Sequence, residues 1–237
     1  MMSLEETVHD AQIKILRELL FLPTAHFAAL QRATGLDSDH VKFHIKRLVA
    51  LGYVTKTADG YMLSIKGKEY ANKLDTDAGV IERQPKVAVL LVIERQHYGE
   101  KQYLLQQRLK HPYFGFWGAP TGKVRWAESV VEAAARELAE ETGLRGTFVH
   151  RGIYHERVRH SQTNEIVEDK LFHLMFCDAV SGTMVKEFEG GKNAWRTREE
   201  MESEPKKYKS FMHEMTACID GHGELTEVIY EYDATEF

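Results

Sequence analysis

Apolar residues in the first part of the chain recur at intervals of three and four, the spacing that gives a helix one buried face. Pro23 bounds the first such segment, Gly35 ends the second, and Gly52 stops the third, which Asp37 or Ser38 can cap. The pattern therefore predicts three short helices. Their predicted inward-facing sets are Ile13, Leu16, Leu19 and Leu20; Phe27 and Leu30; and Val41, Ile45, Leu48 and Val49.

The pattern then changes to alternation around Asp59-Gly60, a dipeptide that favours a tight β-hairpin. The segment KGKEYANKL follows and has the spacing of a closing helix. Three helices and a hairpin, joined by LVALGYV, resemble a winged helix-turn-helix domain over residues 5–75. We therefore interpret residues 1–78 as a small domain of this kind.

The third predicted helix carries Lys42, Lys46 and Arg47, which are candidates for nucleic-acid binding. In winged helix-turn-helix proteins this helix can enter the major groove of DNA, and basic side chains hold phosphates. Residues 1–78 nevertheless contain ten basic and ten acidic residues, so the segment is neutral. A dimerisation or packing module is the alternative interpretation.

A stretch with little periodicity separates the two halves, and we predict a linker over residues 79–85. The second predicted domain, residues 86–237, opens with the apolar run Val87–Ile93, which is long enough for a buried strand but not for a membrane span. A helix is predicted from about Ala127 to Thr142 and ends at Gly143. Further predicted strands cover QYLLQQR, TFVHRGIYHERV, DKLFHLMFCDAV and ELTEVIYEYD, with a helix over residues 206–219, so the class is α+β.

The overall composition is that of an ordinary globular protein, with 43% hydrophobic and 28% charged residues among 237. A formal charge of −5 argues against a general nucleic-acid binder. With only Cys177 and Cys218, neither a disulfide framework nor zinc-ligand spacing is present. The first residues lack the plan of a signal peptide, and we expect a cytoplasmic protein without a membrane partner.

Three glutamates, Glu137, Glu140 and Glu141, share one face of the predicted helix because they are spaced three and four residues apart. Their mutual repulsion disfavours the helix unless a cation relieves it. Mg²⁺ prefers such oxygen ligands together with substrate phosphates. A solvated charged surface is the alternative explanation.

The surrounding sequence favours the metal. Gly122 is followed by Glu128 after five residues, and seven residues later comes Arg136-Glu137-Leu138-Ala139-Glu140-Glu141-Thr142-Gly143-Leu144. This resembles the Nudix box, G-x5-E-x7-R-E-U-x-E-E-x-G-U with U aliphatic, at every fixed position. The likeness extends over about residues 85–235. Two departures affect loop geometry: Thr121 and Ala127 stand where the family usually has glycine.

The resemblance implies an α/β/α sandwich that hydrolyses a pyrophosphate bond in a nucleoside diphosphate linked to another group. It implies Mg²⁺, with Mn²⁺ as a substitute, held by Glu137, Glu140 and Glu141 and by the backbone carbonyl of Thr121. Glu137 is also the candidate base. The implied supporting catalytic residues are Arg136, which orients a carboxylate; Glu128, as a partner of Arg136 or a metal contact; and Glu189, as a distal acid, with Glu187 and Glu168 as alternatives.

Substrate contacts are predicted for basic and aromatic residues near these motifs. Cationic side chains suit phosphates, and aromatic rings stack on a base, although aromatic runs more often pack in a core. The nucleotide itself stays open. The candidates are Arg108, Lys123, Arg157, Arg159 and His160 for phosphates, and Trp126, Trp117, Phe114 and Tyr113 for a base.

Two functions are compatible with this sequence. One is a metal-dependent pyrophosphohydrolase with an accessory winged helix. The other is a transcription regulator in which the second domain senses a nucleotide and the first binds DNA. A complete set of three glutamates favours turnover, and we expect a homodimer in either case.

Overall fold

A computed structural model of the protein describes residues 9–75, 80–81 and 83–233. The chain divides into two compact units between Arg83 and Gln84. No helix in the described ranges is both long and apolar enough to cross a membrane.

The first unit contains helices and short strands in the predicted order. Its elements are α1 (Asp10–Phe21), α2 (Phe27–Thr34), α3 (Ser38–Ala50), β1 (Val54–Thr57), β2 (Gly60–Leu63), α4 (Ile65–Ala71), β3 (Leu74–Asp75) and β4 (Val80–Ile81).

Helix α3 begins where the sequence predicts, since the Asp37 side chain accepts hydrogen bonds from the backbone N–H groups of Asp39 and His40. Its buried apolar face differs from the prediction at one position: Val49 is 39% exposed. In α1, Ile15 is fully buried, whereas Ile13 only packs against the edge of the core. The remaining core comes from Leu16, Leu19, Ala25, Leu30, Val41, Ile45, Leu48, Val54, Leu63, Tyr70, Ala71 and Leu74.

The predicted hairpin is present: β1 and β2 pair antiparallel, with Thr57 opposite Gly60. The predicted linker is partly structured, because Val80–Ile81 pair with Leu74–Asp75 as an antiparallel ladder. Residues 79 and 82 of that linker lie outside the described residues. The bounds of the linker and of the two domains stay predictions.

The second unit is a large mixed sheet with helices. Its elements are β5 (Lys86–His97), β6 (Glu100–Arg108), β7 (Trp117–Gly118), β8 (Thr121–Lys123), α5 (Val130–Thr142), β9 (Leu144–Gly146), β10 (Val149–His160), β11 (Ile166–Cys177), β12 (Val180–Gly182), β13 (Glu187–Phe188), β14 (Gly191–Thr197), α6 (Arg198–Ser203), α7 (Phe211–Asp220) and β15 (Glu224–Tyr232).

The main sheet runs in the order β13-β14-β6-β5-β11-β10-β15, with β7 added to β6 and β8 to β5. The β5–β11 and β10–β15 pairs are parallel, and the other neighbours in this sheet are antiparallel. Strand β5 lies at the centre, which explains its unbroken apolar run.

Alternate residues of β5 serve two different layers. Val89, Leu91 and Ile93 pack beneath α5, while Ala88, Leu90 and Val92 face the layer that contains α7. Helices therefore cover both faces of the sheet, and the expected α/β/α sandwich is confirmed.

Helix α5 begins three residues later than predicted, at Val130. Ser129 caps it in a reciprocal pair of hydrogen bonds with Glu132, and the preceding Ala127 has φ of +62°. A residue in the left-handed conformation cannot belong to the helix. Glu128 stands between Ala127 and the capping residue Ser129, and it therefore lies in the loop before α5.

Candidate active site

A cavity of about 600 Å³ opens in the second unit, where polar side chains of both helical layers reach the end of the sheet. One wall comes from the loop and helix predicted to hold metal: Thr121, Gly122, Lys123, Arg125, Glu137 and Glu141. The other side is formed by Lys86, Gln106, Arg108, Glu156, Glu168, Lys170, Tyr208, Ser210 and Glu214.

Gly122 is required by the side chain of Glu137 rather than by a turn. Gly122 lies in β8 opposite Val89 of β5, and a Cβ added to it would stand 2.0 Å from Cδ of Glu137. The absent side chain allows the carboxylate of Glu137 to pass between α5 and β8 and reach the cavity.

Arg136 ties the loop before α5 to the carboxylates of the helix. It makes a bidentate hydrogen-bonded contact with Glu128, with Nε–Oε1 at 2.6 Å and Nη2–Oε2 at 2.8 Å. Its Nη1 donates to Glu137 at 2.7 Å and to Glu140 at 3.2 Å. The hydrogen bonds to Arg136 hold the pKa of Glu128 at about 2, so this carboxylate stays ionised.

The other two box glutamates occupy different surroundings. Glu141 is mostly buried and accepts a hydrogen bond from Nε2 of Gln106 at 2.9 Å, and burial raises its pKa. Glu140 is half exposed, with Arg125 3.1 Å from it. In the part of the chain that the structure describes, no three His, Cys, Asp or Glu side chains converge closely enough to share a metal ion.

The donor chemistry of this wall still suits a hard divalent cation. Glu137 and Glu141 both line the cavity beside β8, and their oxygens are the ligand type that Mg²⁺ prefers. Arg136 supplies a single positive charge to the three carboxylates Glu128, Glu137 and Glu140. A bound cation would take over part of that role.

Two of the predicted phosphate contacts line the cavity, Arg108 and Lys123. The guanidinium of Arg108 donates to the carbonyls of Pro112 at 2.6 Å and His111 at 3.3 Å. Arg108 therefore also fixes the loop at the cavity rim. Its side chain has less freedom to follow a phosphate than the sequence suggests.

Several other predicted substrate residues lie elsewhere. In β10, Tyr154, Glu156 and Val158 alternate with Arg157 and Arg159, so both arginines point to the opposite face of the sheet from the cavity. Trp126 is 87% exposed in the loop before α5 and does not line the cavity, and neither does His160.

The three candidates for the distal acid also differ in whether they line the cavity. Glu189 follows the short strand β13, and Glu187 pairs with Lys192; neither lines the cavity. Glu168 does line it and is 7% exposed. Of the aromatic candidates, Tyr113 lines the cavity, whereas Phe114 is half exposed and Trp117 packs against the core.

On the far side of the cavity the sequence predicted Arg108 and Glu168 but missed the other charged residues. Glu156 and Glu214 are buried there, at 7% and 6% exposure, and Lys170 lies nearby. The signal for Glu156 was present, since it alternates with apolar Tyr154 and Val158 in a half-buried strand. No comparable signal marked Glu214, because its role depends on how α7 packs against the sheet.

The fold, together with the cavity wall formed by β8 and α5, is that of a known class of enzymes. The family model described as NUDIX domain matches residues 83–217. The chain therefore belongs to the Nudix family, whose enzymes generally use divalent metal ions.

The chain matches only part of the length of its named relatives. An ADP-ribose pyrophosphatase of Methanocaldococcus jannaschii is 35% identical over 88 residues, which cover 35% of this chain and 50% of that protein. An uncharacterised Nudix hydrolase of Bacillus subtilis, YvcI, is 30% identical over 98 residues, which cover 41% of this chain and 61% of that protein. The chain thus spans about half to three fifths of these relatives.

Solved structures show the same fold. The Nudix domain of Shewanella oneidensis NrtR, crystallised with ADP ribose, has a TM-score of 0.51 at 18% identity and covers 64% of this chain and 96% of that one. A MutT protein of Bacillus halodurans has a TM-score of 0.50 at 22% identity, covering 64% and 93%.

Proposed function

We propose that the second unit hydrolyses a pyrophosphate bond in a nucleoside diphosphate linked to another group, with Mg²⁺ as the metal and Mn²⁺ as its substitute. The observation that carries this proposal is the approach of Glu137 past Gly122 into a cavity shared with Glu141.

In this proposal each side chain has a physical task. Glu137 and Glu141 hold the metal at the cavity wall, Glu140 completes the set from the exposed side, and the backbone of Thr121 adds a carbonyl oxygen. A bound Mg²⁺ would supply charge neutralisation for the phosphoryl oxygens and a lowered pKa for an attacking water. Glu137 would accept the proton from that water.

Charged neighbours support these tasks. Arg136, anchored by Glu128, orients the carboxylates of Glu137 and Glu140. Lys123 and Arg125 place positive charge at the rim, where phosphates would enter. Glu168 replaces Glu189 as the distal acid in the proposal, because Glu168 lies in the cavity.

ADP-ribose is the first substrate to test. A relative of this chain carries the name ADP-ribose pyrophosphatase, and the Nudix domain of NrtR was crystallised with ADP ribose. Both facts concern other proteins, and they support the same compound class for this one.

The test is hydrolysis of a panel of ADP-ribose, sugar nucleotides, dinucleotides and oxidised nucleoside triphosphates with Mg²⁺, followed by removal of the metal. We expect turnover of at least one diphosphate-linked compound and its loss with chelator. The variants Glu137→Gln and Glu140→Gln should nearly abolish turnover, whereas Glu202→Gln, on the exposed face of α6, should not. Full activity in a folded Glu140→Gln protein would contradict its place in the metal set.

The first unit supports a second role, in which a winged helix binds DNA and the Nudix domain senses a nucleotide. Helix α3 buries Val41, Ile45 and Leu48 and turns Lys42, Lys46 and Arg47 outward. An outward row of cations on the third helix before a hairpin suits phosphate contacts. The homodimer and the cytoplasmic location stay predictions.

A further inference from the structure

The far side of the cavity, which we call the inner end, is built from charged residues in register across the sheet. Lys86 of β5 pairs with Lys170 of β11, and Lys170 pairs with Glu156 of β10. Because residues in register point to the same face, these three side chains form one row beneath α7. All three line the cavity.

Helix α7 places a second carboxyl group against this row. Glu214 of α7 and Glu156 are both buried and both line this end of the cavity, together with Ser210 at the start of α7. Burial raises the pKa of Glu156, and burial with the nearby charge of Glu156 raises the pKa of Glu214 to about 8, so Glu214 keeps its proton at neutral pH. The pair therefore presents both a hydrogen-bond donor and acceptors to the cavity.

Glu168 completes the inner end. It forms ion pairs with Lys170, through Oε2, and with Lys86, whose Nζ lies 3.8 Å from Oε1. Two lysines and three carboxyl groups holding one proton carry no net charge.

We propose that the inner end binds the uncharged part of the substrate, through hydrogen bonds from sugar hydroxyls or base N–H groups to the Glu156–Glu214 pair. This inference rests on the proposed hydrolase function and assigns Glu156 and Glu214 as specificity-determining residues.

The two ends of the cavity differ in what they can hold. The wall of α5 and β8 offers metal ligands with Lys123 and Arg125, which suit a diphosphate. At the inner end both lysines lie beside carboxylates, so a phosphate would meet repulsion as well as attraction. The rings of Phe172 and Tyr208 also line the cavity and give flat apolar surfaces for a sugar or a base.

Equilibrium binding separates recognition from turnover. Ca²⁺ would replace Mg²⁺, and ADP-ribose would be titrated into the full-length protein by calorimetry. Two analogues would follow: one lacks a hydroxyl on the terminal ribose, and the other replaces adenine by hypoxanthine, which removes the amino group. We expect one analogue to bind at least about tenfold more weakly, because a hydrogen-bonding site rejects a ligand that leaves its groups unpaired. The analogue that loses affinity identifies whether sugar or base occupies the inner end.

The variants Glu156→Gln and Glu214→Gln test the residues. Each should weaken ADP-ribose binding while reducing the discrimination against the sensitive analogue to about twofold. Glu227→Gln, a carboxylate on the opposite face of the sheet that bonds His155, is the matched control and should keep full discrimination. The unfolding temperature of each variant shows whether it folds. If one variant does not fold, the other variant alone tests the inference.

Equal binding of all three ligands by the wild-type protein would overturn the inference, as would an unchanged ratio in both folded variants. Loss of the proposed hydrolase function would look different. In that case the wild-type protein would turn over no compound with Mg²⁺, while the binding ratios would still report on the inner end.

Discussion

The backbone of Gly122 lies so close to the side chain of Glu137 that a methyl group on Gly122 would overlap it, at 2.0 Å from Cδ. The variant Gly122→Ala should therefore displace the carboxylate and lower turnover on the order of a hundredfold, since misplacement by about 1 Å has that effect. Steady-state kinetics with a metal titration measure it.

The loss of turnover caused by Gly122→Ala should not add to the loss caused by removing the Glu137 carboxylate. In the double variant Gly122→Ala with Glu137→Gln, activity should match that of Glu137→Gln alone, because residues acting through one group are not additive. A further drop in the double variant would indicate that Gly122 serves another purpose.

Arg136 should act as a positioning residue. A lysine cannot reproduce its bidentate contact with Glu128 while also reaching Glu137, so Arg136→Lys should lower activity about 10- to 100-fold. The apparent metal affinity should fall with it, as a Mg²⁺ titration would show. Unchanged metal dependence would mean that Arg136 only stabilises the fold.

Ala127 adopts φ of +62°, a conformation that favours glycine. Ala127→Gly should raise the free energy of unfolding by about 0.5–1 kcal/mol, since relief of left-handed strain exceeds the added entropy of the unfolded chain. Ala135→Gly, at an exposed position inside α5, is the matched control and should lower stability by about 1 kcal/mol. Urea unfolding of both variants checks the opposite signs.

Burial and the nearby Glu156 raise the pKa of Glu214 from 4.5 to about 8. An acid with a raised pKa stabilises the folded state at low pH, and that contribution is lost as the pH rises through the folded value. Glu214→Gln should therefore remove part of the fall in unfolding temperature between about pH 5 and pH 8. An equal dependence of the unfolding temperature on pH in the wild-type protein and this variant would contradict the raised pKa of Glu214.

DNA binding by the first unit, if it occurs through α3, should depend on Lys42, Lys46 and Arg47. Replacing all three by alanine should weaken binding to every sequence and reduce the salt slope by about 3, because each cation would neutralise one phosphate. Titration against genomic fragments at several salt concentrations measures both. Hydrolysis should stay unchanged, because these residues lie in the other unit; equal DNA affinity in the variant would leave a packing or dimerisation module.

Local patterns predicted much of this fold, because caps, turns and periodicity act within a few residues. Asp37, Gly35 and the Asp59-Gly60 turn all set elements where expected. The start of α5 was wrong by three residues because the cap of Ser129 outweighs the helix preference of Ala127.

The sequence predicted the site residues that belong to the motif, but not those that other segments bring to the cavity. Glu137 and Arg136 follow from spacing within one helix. Arg157 and Arg159 were expected near phosphates, but strand alternation turns them away from the cavity. Glu214 approaches Glu156 only through packing of α7 on the sheet, a relationship between distant segments that no local pattern encodes.

The pairing of β8 with β5 has a consequence for how this family site can be altered. Gly122 sits opposite Val89, with Thr121 and Lys123 on either side. A slip of one residue in this ladder would bring a side chain to the place that Glu137 crosses. An insertion or deletion before Thr121, well separated in sequence from Glu137, should thus abolish the proposed activity as completely as loss of a metal ligand, although every residue of the motif would still be present.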